Sequence, residues 1–316
     1  YMALCCMLHP VFKQTMFYEH VVLMKILLCG GESPLGKSLV YRLEQLPFPL
    51  IVLNADTLAT ISASGLESLL RDKQIDGIVN VQASNAEVLA RAAAATGSFL
   101  LQLSDCQVFS GKQAAAYRET DEPDASVHDG AMLRANESVV IEACPRHLVL
   151  RTGELFSSLG PNVLTNLLDA WLNGNSAPVS VRYQFCPTSV RDAARVIVAW
   201  LQQLSCGIEP WGVYHYCGTD AVSYRDFARL VKQIIESQPE SDLVMEMHEI
   251  AEGLPQLSWT LDCSKIRNTF GIKQHAWRAG LTSGVKRALL VKKTTDNVLE
   301  NSINIMPEGE GDGGCD

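Results

Sequence analysis

The feature that most constrains the fold is an apolar run followed at once by a glycine-rich turn and a helical pattern. The run Met24–Cys29 leads into the turn 30–36, which reads GGESPLG. From Lys37 to Leu46 apolar residues recur at helical spacing. A buried strand, a tight turn and a helix in this order predict the first βα unit of a sheet, with the helix N-terminus at the ligand-binding edge.

Short apolar runs continue to alternate with helical patterns as far as residue 151. We predict strands at 50–53, 77–81, 99–103 and 147–151, and helices at 65–73, 86–95 and 130–143. This alternation implies right-handed crossovers and a parallel sheet that is covered on both faces. The predicted fold class is therefore α/β, a doubly wound parallel sheet of the Rossmann type.

A smaller C-terminal substrate lobe is predicted beyond this sheet, because the alternation becomes less regular there. The expected elements are helices at 163–172, 190–204, 224–236 and 277–291, and strands at 179–183 and 212–217. We interpret 24–160 as the dinucleotide-binding domain and 161–292 as the substrate lobe, interleaved with the end of the sheet. Residues 1–23 are expected to be a poorly ordered leader or extension, and 293–316 a tail with a disordered end.

Composition excludes several classes of partner. The 316 residues include 26 basic and 35 acidic side chains, a net charge of −9, so the concentrated basic surface that nucleic acids require is not expected. The ten cysteines show neither a C-x-x-C pair nor zinc spacing, which predicts reduced thiols, no metal and a cytoplasmic protein. No apolar stretch approaches the ~20 residues of a membrane span.

The glycine turn has the form that a pyrophosphate cradle needs at two of its three positions. Gly30 allows the tight turn and Gly36 allows close approach of the helix to the strand. The middle position is Ser33, whose Cβ lies where a pyrophosphate would come closest. The turn predicts dinucleotide binding, and an ordinary βα turn remains the alternative.

Ten short sequence blocks occur in the order found in a known family. They read MKILLCG (24–30), DGIVN (76–80), VFSG (108–111), YRETDEP (117–123), PRHLVLRT (145–152), QFCPT (184–188), GVYH (212–215), SYRDFA (223–228), LDCSKI (261–266) and TFGI (269–272). On these blocks the chain resembles the dTDP-4-dehydrorhamnose reductases, RmlD-like extended short-chain dehydrogenase/reductases, as a divergent member. The resemblance spans Met24 to about Leu290 and implies reduction of a 4-keto nucleotide sugar by NAD(P)H.

The resemblance also implies positions for cofactor and substrate. The cofactor residues it implies are Gly30, Ser33, Leu35, Gly36, Asn54, Asn80 and Gln82, and the substrate residues are Arg151, Gln184 and Thr188. Asn80 and Thr188 could instead only cap loops. NAD and NADP both remain open, although no arginine adjoins Asn54 and Asp56 to meet a 2′-phosphate.

The family's catalytic positions are largely substituted. Reduction needs a tyrosine acid, a lysine four residues later and a Ser or Thr hydroxyl, and the matching positions hold His128, Met132 and Asp105, while Ser104 is retained. Methionine cannot donate to a ribose, and an anionic Asp105 would oppose a developing alkoxide. Reduction should therefore be severely impaired, unless an Asp105–His128 pair supplies the proton.

Three functions remain open at this point. The first is a divergent sugar-nucleotide reductase, and the second is a pseudoenzyme, a regulatory or binding subunit resembling the beta subunit of methionine adenosyltransferase. The third is a scaffold that does not bind NAD(P), which Ser33 and the short crossover after Asn80 would suggest. The expected partners are a nucleotide sugar and a homo- or hetero-oligomeric subunit. The residues of the site must distinguish the three functions, because one fold can support all of them.

Overall fold

A computed structural model describes residues 24–126, 128–238, 243–250 and 255–303. The predicted leader 1–23 and the end of the predicted tail, 304–316, lie outside these residues. The first half contains β1 (Ile26–Cys29), α1 (Pro34–Leu43), β2 (Leu50–Leu53), α2 (Ala55–Thr60), α3 (Ala63–Lys73), β3 (Gly77–Asn80), α4 (Ala86–Thr96), β4 (Phe99–Asp105), α5 (His128–Ala143) and β5 (His147–Thr152).

The second half has shorter strands. It contains β6 (Leu155–Phe156), α6 (Val163–Leu172), β7 (Ala177–Val179), β8 (Tyr183–Phe185), β9 (Thr188–Ser189), α7 (Val190–Ser205), β10 (Gly212–Tyr216), β11 (Val222–Ser223), α8 (Tyr224–Glu236), β12 (Met247–Glu249), β13 (Leu257–Trp259), α9 (Ser264–Phe270) and α10 (Trp277–Ile303). In the described part of the chain, no helix combines the length and the apolar character that crossing a membrane requires.

A six-stranded parallel sheet in the order β2-β1-β3-β4-β5-β10 forms the centre of the fold. Every residue of β1 and β3 is buried, because helices cover both faces of the sheet. Leu28 and Leu101 face the α1 and α7 side, whereas Leu27 and Leu100 face the α3, α4 and α5 side. The predicted doubly wound α/β fold is confirmed.

The strand order creates a crevice beside β1. Because β2 lies on one side of β1 and β3 on the other, the chain leaves β1 and β3 in opposite directions. In open α/β sheets, ligands bind at such a switch point, beyond the carboxyl ends of the strands. The turn after Cys29 and the segment after Asn80 therefore meet at this crevice.

A second apolar cluster holds the smaller lobe together. Side chains of α6, α8 and α10 pack around Trp171, Phe227, Leu281 and Val285, all almost fully buried. Three small sheets, β11-β8-β13, β12-β7 and β6-β9, complete this part of the structure. The lobe therefore has a core of its own, and the exact domain boundaries stay a prediction.

Some predicted element boundaries were wrong for local reasons. The strand predicted at 179–183 is interrupted, because the Ser180 hydroxyl accepts a hydrogen bond from the Arg182 amide (3.0 Å) and turns the chain between β7 and β8. The first helix begins at Pro34 rather than Lys37, since Ser33 caps it. Proline suits the first helical position because it lacks an N–H that would be unpaired there.

Candidate functional site

The turn between β1 and α1 requires its two outer glycines. Gly30 has a φ of +86°, in the left-handed region that side chains disfavour. A Cβ on Gly36 would lie 2.1 Å from the Gly30 carbonyl oxygen. Ser33 closes the turn, since its hydroxyl donates to the Gly30 carbonyl (2.8 Å) and accepts from the Gly36 amide (3.0 Å). The sequence therefore folds into a tight helix-capped loop at the crevice.

The helix N-terminus offers few backbone donors for a phosphate. Pro34 has no N–H, and the Gly36 amide is bonded to Ser33. The amide of Leu35, in the first turn, has no acceptor within the helix. Helix N-termini hold phosphates through such amides and the helix dipole. The loop thus retains its shape but has a smaller donor set than a fully glycine-rich turn.

Two side chains at the end of β3, Asn80 within the strand and Gln82 just beyond it, have different roles. Asn80 is fully buried and donates to Gln102 Oε1 (2.9 Å) and to the Ser84 carbonyl (3.3 Å), so it holds the loop. Gln82 lies beside Gly30, and its amide nitrogen Nε2 is buried without a hydrogen-bond partner. Leaving such a donor unpaired costs roughly 1–3 kcal/mol. A ligand oxygen in the crevice would remove that cost.

The end of β2 carries polar groups and acidic charge. Asn54 caps α2 by accepting a hydrogen bond from the Thr57 amide (2.8 Å). Glu32 Oε1 accepts from the Ala55 amide (3.0 Å), which brings a carboxylate from the glycine turn to this strand end. Asp56 follows in the first turn of α2. Negative charge therefore lies at the edge where the adenosine half of a dinucleotide would be expected.

Ser104, predicted to keep the family's catalytic serine, belongs to a buried ionic network. It is 3% exposed and its hydroxyl donates to Glu137 Oε1 at 2.5 Å. Glu137 also forms a buried ion pair with Arg151 (2.6 Å). The Ser104 hydroxyl is therefore engaged inside the protein rather than presented to a ligand.

Arg151, predicted to contact substrate, is the centre of this network. Its guanidinium is enclosed by Glu137, by His215 Nε2 (3.3 Å) and by the ring of Phe109. Burial and the charge of Arg151 lower the pKa of His215 to about 3, so His215 stays neutral. The network joins α5 to β4, β5 and β10. In this structure Arg151 is therefore a buried structural residue.

Glu154, which sequence reasoning missed, forms an acidic pair with the predicted site residue Asp105 at the carboxyl edge of β4 and β5. Asp105 is buried and accepts from the Gln107 amide (2.8 Å), and burial raises its pKa. Glu154 accepts from the Tyr183 hydroxyl (2.7 Å); burial, with the charge of Asp105 adding to it, raises its pKa to about 7. The one sequence signal was its position just beyond a strand end.

The two positions on α5 are less fully defined. Met132, predicted to occupy the family's lysine position, is 49% exposed, so its apolar side chain faces solvent. His128 begins α5, but its side chain lies outside the described part of the structure. The Asp105–His128 acid therefore stays a prediction. Among the described residues, no cluster of His, Cys, Asp and Glu suits a metal ion.

The predicted substrate residues of the lobe hold loops in place. Thr188 is fully buried, donates to the Cys186 carbonyl (3.1 Å) and accepts from the Gly218 amide (3.2 Å). Gln184 donates to the Val181 carbonyl (3.0 Å). A cavity of about 320 Å³ opens nearby; its polar lining includes Glu154, Asn166, Arg182, Tyr183 and Tyr224. The rest of its lining, which includes Val163, Ile250, Pro255 and Leu257, is apolar, so the cavity beside Glu154 suits a small, mainly apolar group.

Comparison with known proteins identifies relatives of two kinds. The family model described as RmlD substrate binding domain matches residues 79–290. The dTDP-4-dehydrorhamnose reductase of Aggregatibacter actinomycetemcomitans is 24% identical over 78% of this chain and 84% of its own length. Methionine adenosyltransferase 2 subunit beta of Xenopus laevis is 27% identical over 72% of this chain and 68% of its own.

A solved structure agrees with the fold. The dTDP-4-dehydrorhamnose reductase of Bacillus anthracis str. Ames in complex with NADP has a TM-score of 0.69, with 19% identity over 83% of this chain and 97% of that one. At this level of identity the likeness concerns the fold.

Proposed function

Because the chain belongs to the RmlD substrate binding domain family, we propose that it binds a nicotinamide dinucleotide but reduces a keto sugar nucleotide very slowly or not at all. The observation that carries the proposal is the tight glycine turn at the crevice, where Gly36 leaves room for the Gly30 carbonyl. The expected loss of reduction rests on the predicted alignment of Met132 with the family's lysine.

The residues of the crevice fit a dinucleotide in shape and in hydrogen bonding. The turn 30–36, the Leu35 amide and the unpaired Gln82 amide would hold the pyrophosphate. When bound, a reduced nicotinamide supplies a hydride to a carbonyl carbon. The carboxylates of Glu32 and Asp56 would repel a 2′-phosphate, which favours NADH over NADPH.

Reduction is disfavoured by the groups around the reacting carbonyl. A developing alkoxide needs a proton donor and positive charge beside it. Met132 supplies neither, the Ser104 hydroxyl is engaged with Glu137, and Asp105, when ionised, would add negative charge. Glu154, whose pKa burial raises to about 7, is an acid at the same edge, but it is tied to Tyr183.

A non-catalytic regulatory subunit is the second candidate. It rests on the likeness to a protein named as a beta subunit of methionine adenosyltransferase. Co-elution of this chain with a methionine adenosyltransferase catalytic subunit would favour it, and separate elution at micromolar concentrations would exclude it. The nucleotide-sugar ligand, the oligomeric state and the cytoplasmic location also stay predictions; free thiols at all seven described cysteines support the cytoplasm.

Titration of NADH and NADPH against the purified chain tests the proposed binding. We expect both to bind, NADH more tightly. Gly36→Ala should abolish binding, because its Cβ would collide with the Gly30 carbonyl, whereas Gly280→Ala, a helical glycine with open space around it, should leave binding unchanged. No binding of either dinucleotide by the native chain, or equal binding by Gly36→Ala, would refute the proposal.

A further inference from the structure

A large groove lies on the sheet face opposite α5. Its volume is about 980 Å³, and it lies between the length of α1, the N-terminal part of α7 and the first three turns of α10. Helices α1 and α7 pack together on one face of the sheet, whereas α5 packs with α4 on the other. The groove shares only Pro34 with the glycine turn. It is therefore a separate cavity from the crevice and the acidic pair.

The groove is strongly basic, and we call it the basic groove. Five cationic side chains line it: Lys37, Arg42, Arg191, Arg195 and Arg287. Its single carboxylate, Asp192, is already held by Arg195 Nε (2.7 Å), His275 Nδ1 (2.9 Å) and the Tyr216 hydroxyl. Across the described residues, the other four cations form no ion pair.

This concentration of positive charge is unusual for a chain with a net charge of −9. Burial lowers the pKa of Arg42, and the neighbouring charges of Arg191 and Arg195 lower it further. Arg42 also donates to the Arg191 carbonyl (3.2 Å), which fixes the α1 cation beside the start of α7. Clustered like charges are unfavourable unless an anion joins them.

The N-terminus of α7 adds to the positive electrostatic potential of the basic groove. This helix runs for 16 residues, its N-terminus lines the groove, and Ser189 caps it. The positive end of a helix dipole favours negative charge. The guanidinium of an arginine can also donate two parallel hydrogen bonds to two phosphate oxygens. Arginine therefore recognises a phosphate by its geometry as well as by its charge.

We propose that the basic groove binds a ligand bearing a diphosphate or longer phosphate chain, at a site separate from the dinucleotide crevice. A single monoanion would leave most of the four unpaired cations without a partner, whereas a phosphate chain carries enough negative charge to pair with several of them. Tyr41, 71% exposed at the rim, offers a surface for a nucleobase. The phosphate chain could thus be inorganic or part of a nucleotide.

Calorimetric titration of inorganic pyrophosphate and of ADP, with the full chain in saturating NADH, tests the proposal. We expect binding of pyrophosphate, weakened about tenfold or more by Arg287→Glu and by Arg191→Glu, because a charge-assisted contact is lost and a repulsive charge is added. Lys286→Glu is the matched control, since this exposed neighbour makes the same charge change outside the groove. Tighter binding of ADP, reduced by Tyr41→Ala, would identify a nucleotide.

Three results would overturn the proposal. They are no binding of either probe at millimolar concentration, equal weakening by Lys286→Glu and Arg287→Glu, or displacement of pyrophosphate by NADH. If NADH itself fails to bind, the comparison of Arg287→Glu with Lys286→Glu still decides the question, independently of the proposed function.

Discussion

At the scale of single residues, the proposed loss of reduction depends on the alignment that places Met132 and Asp105 at the family's catalytic positions. The identity of both residues could be read from the sequence, but their surroundings depend on neighbours far apart in the chain. Glu154 and Tyr183 are 29 positions apart and were not connected by any motif. Likewise, nothing in the sequence showed that Arg151 would form a buried ion pair with Glu137. Long-range pairing of side chains is what sequence patterns leave undetermined.

Restoring the family's residues should restore activity. We expect His128→Tyr with Met132→Lys to raise reduction of dTDP-4-dehydrorhamnose, and addition of Asp105→Thr to raise it further. General acid catalysis contributes roughly 10²–10⁴-fold, which bounds the gain. The readout is the rate of NADH oxidation. No gain in a triple variant that still binds NADH would show that the alignment on α5 is wrong.

Glu154 should make stability depend on pH. Its pKa is about 7 in the folded chain against 4.5 ordinarily, so its stabilising effect is complete below about pH 4.5 and is lost as pH rises through about 7. Glu154→Gln, which keeps an acceptor for Tyr183, should therefore match the native chain near pH 4.5 and exceed it near pH 8 by up to about 3 kcal/mol.

Urea unfolding at several pH values measures this difference. The exposed Glu142→Gln serves as the control and should show no comparable pH-dependent gain. A constant offset between Glu154→Gln and the native chain at all pH values would mean that Glu154 titrates normally.

At the scale of elements, the sequence predicted the positions of most helices and strands. Helices at 163–172 and 224–236 match α6 and α8 because strong helical periodicity coincides with capping by Asn162 and Ser223. The interrupted strand at 180–182 could not be foreseen, since a single serine hydroxyl decides it. Apolar periodicity thus located the helices and strands, and local hydrogen bonds determined the residues at which they begin and end.

The buried ion pair between α5 and β5 should be costly to break on one side. Glu137→Leu leaves Arg151 buried and uncompensated, which should lower the free energy of unfolding by about 3–5 kcal/mol. Adding Arg151→Met should recover much of this loss, because no charge then remains unpaired. The exposed pair Glu87–Arg91 is the control, and Glu87→Ala should change the free energy by less than about 1 kcal/mol.

Denaturant unfolding of the native chain, Glu137→Leu, Arg151→Met and the double variant forms a double-mutant cycle. A double variant as unstable as the sum of its single variants would show that the pair is not coupled in the folded chain.

At the scale of the whole molecule, the fold followed from alternation of strands and helices, whereas the sites depended on which elements the topology brings together. The crevice between β1 and β3 could be predicted because its turn needs backbone conformations that favour glycine, and glycines can be recognised in the sequence. The basic groove could not, since Lys37, Arg191 and Arg287 come from three distant helices. One site therefore lies at the carboxyl edge of the sheet and the other on its α1 and α7 face.

The most direct test of the central claim combines binding and turnover in one sample. The native chain, saturated with NADH, is mixed with excess dTDP-4-dehydrorhamnose, and bound and oxidised NADH are followed together. The account predicts that NADH remains bound and is oxidised no faster than in the Gly36→Ala variant. Rapid oxidation of NADH by the native chain, undiminished in His128→Ala, would contradict it.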